Sequence, residues 1–202
     1  MKMSNVLQRS RREEVMSESV SYTNPANRIH EASEDPLGMP ALIAALGSSN
    51  GRTRHMARQS LVALGKTAVA PLIKALASPN DSVRWGAAKA LEEIADPSAA
   101  EALVRALEDN NYDVRWLAAE GLIRLRRNAL APLMRALMDR SNSVWLQEGA
   151  RHILHHLASN GLRRQVEPVL TALDGIEPAL ATPPAALVVL ENLARTSRRV
   201  AR

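Results

Sequence analysis

Metal-ligand chemistry is the first possibility that the residue types raise. Glu148, His152, His155 and His156 follow at intervals of four, three and one, which puts their side chains on the outward side of one helix. Imidazole beside carboxylate is a zinc or iron donor set, yet no second cluster completes it and two helical turns separate its ends. The expectation is no bound metal and no cofactor, with His152 and His155 the nearest approach to ligands. Trp116 followed four residues later by Glu120 is a second spacing with content, an aromatic face beside a carboxylate. Cysteine is absent, so there is no thiolate site and no disulfide framework. The chain also lacks a glycine-rich phosphate loop and a zincin motif. No catalytic constellation is legible, and no catalytic residue is assigned.

A repeat must position these side chains. "PLIKALASPNDSVRWGAAKALEEI" from Pro71 is echoed by "ALVRALEDNNYDVRWLAAEGLIRL" from Ala102, and more faintly on either side. Leu42, Leu72, Leu103 and Leu133 mark the first helix of successive units at steps of 30, 31 and 30. Ala57, Ala87, Ala118 and Ala150 mark the second helix at steps of 30, 31 and 32, which predicts two extra residues in the turn around Ser141 to Ser143. Two segments of helical period per unit of this length predict an all-α fold, an α-solenoid of four helical-hairpin repeats. Pro71 and Pro132 are read as first-turn residues, where a missing N–H is harmless.

On a helical wheel of the second helices, Val83, Ala87, Leu91 and Ile94 face inward and Trp85, Lys89 and Glu92 face outward. Stacking the units gives columns on the presumed concave side: His55, Trp85, Trp116 and Glu148; then Gln59, Lys89, Glu120 and His152; then Val62, Glu92, Ile123 and His155, with Arg124 nearby. Two tryptophans in one column form either a grip on a partner or filler between repeats. Arg54, Arg84 and Arg115 recur at the edge of the core stripe, where guanidinium groups can bond helix ends and loop carbonyls of the adjacent unit. They are read as a structural ladder, from which the fourth unit departs with Gln147.

This pattern resembles the short HEAT-like repeats of the phycobilin-lyase group. The resemblance rests on Val83-Arg84 and Val114-Arg115, the alanines that follow, the closing Leu or Ile, and the leading P/A-L-I/V-x-A-L, over roughly Pro40 to Leu157. It implies architecture more than activity, since scaffolds, lyase subunits, hydroxylases and DNA-repair enzymes share such repeats. HEAT-like deoxyhypusine hydroxylases need several His-Glu pairs, whereas this chain has only His30-Glu31, outside the repeats. HEAT-like alkylpurine DNA glycosylases use tryptophans with a carboxylate one turn on, a spacing that Trp116 and Glu120 reproduce.

Composition bounds the remainder. With no Phe, two Tyr and three Trp, the core is Leu, Ala, Ile and Val, which suits closely stacked helices. A net charge of +5 permits polyanion binding. Yet Lys89, Arg124 and Arg127 are offset by Glu92, Glu93, Glu120 and Glu148, and Lys74, Arg105 and Arg135 form a row on the first helices instead. No hydrophobic leader or membrane-length apolar run appears, so a cytoplasmic protein is expected. Residues 1–35 read as a flexible tail, 36–158 as the repeats, and 159–202 as a capping unit. In that cap Pro178, Pro183 and Pro184 mark a loop between helices at Leu162 to Leu173 and Ala185 to Thr196. The function expected is a non-catalytic scaffold or adaptor binding another protein or peptide. Its surface comprises His55, Trp85, Lys89, Glu92, Trp116, Glu120, Ile123, Arg124, Glu148, His152 and His155. The alternatives are a DNA-binding or DNA-repair role, or an accessory subunit of a phycobilin-lyase-type enzyme.

Overall fold

The computed structural model describes residues 38–200, with side chains to 196. The chain divides after Pro36 into two units, and only the second is described below. The expected tail and the His30-Glu31 pair lie outside the described residues. Ten α-helices and no strand occur among those described: α1 (Gly38–Ala45), α2 (Gly51–Leu64), α3 (Lys66–Ala75), α4 (Asp81–Ile94), α5 (Ala100–Ala106), α6 (Tyr112–Leu125), α7 (Arg127–Asp139), α8 (Val144–Leu157), α9 (Arg163–Leu173) and α10 (Pro178–Val200). The fold is an all-α repeat solenoid.

The second helices α2, α4, α6 and α8 have a common length of 14 residues because their start signals recur. Asn50, Asn80 and Asn111 each turn a side-chain oxygen onto the first free backbone N–H groups, and Ser143 does so for Leu146. Each such cap stabilises its helix by about 1 kcal/mol. Three of these helices stop at a left-handed residue, Gly65 (φ 56°), Ala95 (φ 52°) or Arg126 (φ 52°). After Gly65 and Arg126 the next helix begins at once.

That immediate restart corrects the reading of the prolines. Pro71 and Pro132 are sixth, not first-turn, residues of α3 and α7. The preceding turn is helical because it buries apolar side chains, Ala68 and Val69 in one case and Ala129 and Leu130 in the other. Burial there outweighs the single i→i−4 bond that each proline removes. The two extra residues of the fourth unit are also misplaced by sequence. Helices α1, α3 and α5 end at Ala45, Ala75 and Ala106, but α7 runs through Leu137 to Asp139. The insertion therefore lengthens the first helix, and the turn that follows is shorter than the others.

Leucines from both rows form one continuous core, with Leu72, Leu103, Leu133, Leu61, Leu122 and Leu154 fully enclosed. Successive second helices pack on one another, α2 on α4, α4 on α6 and α6 on α8. Small residues let a second helix approach the end of the preceding unit's first helix: a Cβ on Gly86 would meet Leu46 at 3.0 Å, and one on Gly149 would meet Leu107 at 3.1 Å. The C-terminal pair departs from this pattern. After a turn at Gly161 (φ 93°), α9 packs on α8, while α10 packs on both α9 and α7. Pro178, Pro183 and Pro184 do not form a loop but lie within α10, whose start is fixed by the Glu177 carbonyl accepting from the N–H groups of Leu180 and Ala181. Burial of Thr182, Ala186 and Val189 holds the proline-bearing turn in place.

Candidate binding cleft between the third and fourth repeats

Helices α6 and α8 lie side by side and each turns an i, i+3, i+4, i+7 row towards the other: Tyr112, Arg115, Trp116 and Ala119 against Trp145, Glu148, Gly149 and His152. Leu107 closes the floor of the resulting cleft, about 170 Å³ in volume and open to solvent. Gly149 lies directly against that floor, since a Cβ there would meet Leu107 at 3.1 Å. Trp116 and Trp145 each remain 45% exposed.

Aromatic and charged groups alternate across this face. The His152 ring lies 4.9 Å from that of Trp116, and His152 Nε2 is 3.2 Å from Glu120 Oε1. The Arg115 guanidinium sits 4.7 Å from the Trp145 ring centre and 5.5 Å from that of Tyr112. One N–H group of Arg115, Nη1, donates to the carbonyls of Asp109 (2.8 Å) and Asn110 (3.3 Å). Glu148 is exposed and has no hydrogen bond or ion pair to another described residue.

The other outward residues are distributed differently from the wheel. Glu92 and Ile123 are not on the surface; they are 4% and 8% exposed because the close packing of α4 against α6 covers the shared edge of those columns. Glu92 pairs there with Lys89 and, at 2.6 Å, with Arg124. Trp85 is half-buried against the core, with the Arg58 guanidinium 5.4 Å from its ring. Trp85 therefore fills a groove between the first and second repeats instead of joining Trp116 in an open column. His55 is exposed and bonds Arg58. His155 points to Asp174 at 3.4 Å, a carboxylate also held by Arg151. Among the described residues no three His, Cys, Asp or Glu side chains gather as a metal ion would need.

The arginine ladder has a precise geometry and a corrected address. Arg54, Arg84 and Arg115 each donate to carbonyls six and five residues earlier, in the turn of their own repeat: Ser48 and Ser49, Ser78 and Pro79, Asp109 and Asn110. Gln147 reaches the equivalent Ser141 carbonyl, so the fourth unit keeps the bond without the charge. Arg84 alone of the ladder also hydrogen-bonds the next unit, through both oxygens of Asp109 (2.8 and 3.0 Å) and through Asn110. Asp109 holds the Arg84 guanidinium protonated more firmly than usual, against the opposing effect of burial.

Trp145 is the residue that sequence reasoning missed. It is the second residue of α8, where the other repeats carry Arg52, Ser82 and Asp113, so columns built from repeat equivalence pass it by. The available signal was the spacing 145, 148, 149, 152, which marks one helix face.

Residues 69–155 match the family profile for HEAT repeats. That segment is similar to HEAT repeats. The cleft joins two of these repeats, with all of its lining inside the matched segment. No curated protein matches the chain significantly. Among solved structures, an engineered protein from the Northeast Structural Genomics Consortium is similar to it at 20% identity, over 82% of this chain and 85% of its own, with a TM-score of 0.41. A second engineered protein from the same consortium shares 21% identity over 78% of this chain and 48% of its own, with a TM-score of 0.38.

Proposed function

We propose that the chain is a non-catalytic protein-interaction module that holds a segment of a partner protein in the cleft between α6 and α8. The observation that carries this reading is the pair of half-exposed tryptophans standing over an apolar floor of Leu107, Ala119 and Gly149. Large aromatic side chains flanking an open hollow are the side chains most often found at interface hot spots. Repeats displayed side by side also give an extended surface along which a peptide can lie. A nucleic-acid role is less well supported, because Glu93, Glu120 and Glu148 interleave with the cations on this face and would repel phosphate.

A display library of random dodecapeptides selected on the immobilised protein tests the reading. Specific peptides should enrich, and the best of them should lose about 30-fold in affinity on Trp145→Ala or Trp116→Ala, the equivalent of a 2 kcal/mol hot spot. Selection that never rises above an unrelated control protein, or winners indifferent to both substitutions, would refute it.

A further inference from the structure

We infer that the cleft receives a basic side chain, lysine or arginine, from the partner segment, its aliphatic stem between Trp116 and Trp145 and its charge on Glu148. This rests on the reading of the cleft as a protein-binding surface and names the chemistry recognised there.

The argument begins with an imbalance in the lining. Apart from the Tyr112 phenol, three charged or chargeable side chains border the cleft. Arg115 is engaged by two backbone carbonyls and by the faces of Trp145 and Tyr112. His152 is engaged by Glu120 and by the Trp116 ring. Glu148 has neither an ion pair nor a hydrogen bond to another described residue. In the open protein, water solvates that carboxylate. Any segment that closes the cleft removes the water, and a buried carboxylate without a partner is strongly unfavourable.

The occupant must therefore bring a donor to Glu148. An acidic residue would be repelled, and a purely apolar plug would strand the charge. Lysine and arginine satisfy both parts of the site, since their methylene stems bury well against apolar surface while the charged head remains directed at a carboxylate. The aromatic walls add a cation-binding face, and this protein already uses such faces for its own guanidinium groups, Arg58 on Trp85 and Arg115 on Trp145. Arg115 makes no matching demand for an anion, because its charge is shared between carbonyl dipoles and a ring face. Position agrees: Glu148 lies one turn from both Trp145 and His152 on the cleft side of α8.

The test repeats the dodecapeptide selection on three forms of the full chain: wild type, Glu148→Gln and Glu148→Lys. Glu148 is exposed, so all three should give the same helical circular dichroism and melt. Wild type should enrich peptides with a Lys or Arg at one shared position. A winning peptide, synthesised, should bind Glu148→Gln at least tenfold more weakly, and replacing its basic residue with norleucine should produce the same loss. Glu148→Lys should shift the selection towards Asp or Glu. Peptides that depend on Trp145 but carry no shared basic residue, or that bind Glu148→Gln undiminished, would overturn this inference while leaving the interaction module standing. An empty selection would overturn both.

Discussion

At the scale of single residues, side chains that looked equivalent in sequence do different work. Trp85 and Trp116 occupy the same repeat position, yet Trp85 is packed against the core and Trp116 is not. Trp85→Ala should therefore destabilise the fold by about 2 kcal/mol, below the value for a fully buried tryptophan, whereas Trp145→Ala should lower stability by less than about 1 kcal/mol. Urea denaturation of both variants reads the difference directly, and equal effects would show that the two indoles share one role. The ladder divides in the same way. Arg84→Ala leaves the enclosed Asp109 carboxylate without its bidentate partner and should cost about 3 kcal/mol. Arg54→Ala removes hydrogen bonds to one part-buried and one exposed carbonyl and strands no carboxylate, so it should cost about 1 kcal/mol in the same assay.

At the scale of elements, the junctions between repeats hold the testable strain. Gly65 and Arg126 adopt nearly the same backbone, φ 56° and ψ −128° against φ 52° and ψ −122°, a conformation that only glycine enters freely. Arg126→Gly should therefore stabilise the protein by about 1 kcal/mol, even with the loss of the exposed Arg126 bond to the Asn160 carbonyl. Gly65→Ala meets nothing within 4 Å, so its destabilisation of about 1 kcal/mol would measure backbone strain alone. Thermal melts of the two variants should move in opposite directions. A different junction carries a pH dependence. Asp96 accepts from the Ser98 hydroxyl and N–H at 2.6 and 2.8 Å, and these bonds hold its carboxyl below the ordinary aspartate value. A depressed folded value means the contribution is complete above the unfolded value of about 3.9 and is lost as pH falls through the folded one. Stability measured by urea from about pH 5 downwards should fall less steeply in Asp96→Asn, which keeps the accepting oxygen but cannot titrate.

At the scale of the whole repeat array, the C-terminal pair decides where stacking ends. Because α9 covers α8 and α10 covers α7, a chain ended after Leu157 would expose the sides of both helices. Uncovering only two or three leucine-sized side chains costs about 5 kcal/mol. The shortened protein should accordingly melt far below the full chain and bind a hydrophobic dye at room temperature. An unchanged melt would mean that the fourth repeat is self-sufficient.

The helical period and the recurring Leu and Ala positions made the all-α repeat architecture legible from residues alone, because a solenoid is built from contacts between near neighbours in sequence. The wheel likewise put Glu148 and His152 on one face. It could not separate Trp85 from Trp116, because the difference lies in which neighbouring helix covers each ring. Nor could it place Glu92 and Ile123 inside, since their burial comes from the closeness of α4 and α6. The prolines of α3, α7 and α10 were misread because propensity is local, while burial of Val69, Leu130 and Val189 overrides it. The cleft itself required tertiary structure. Tyr112 and Trp145 are 33 residues apart with no repeat equivalence between them, and only the side-by-side packing of α6 and α8 brings them together.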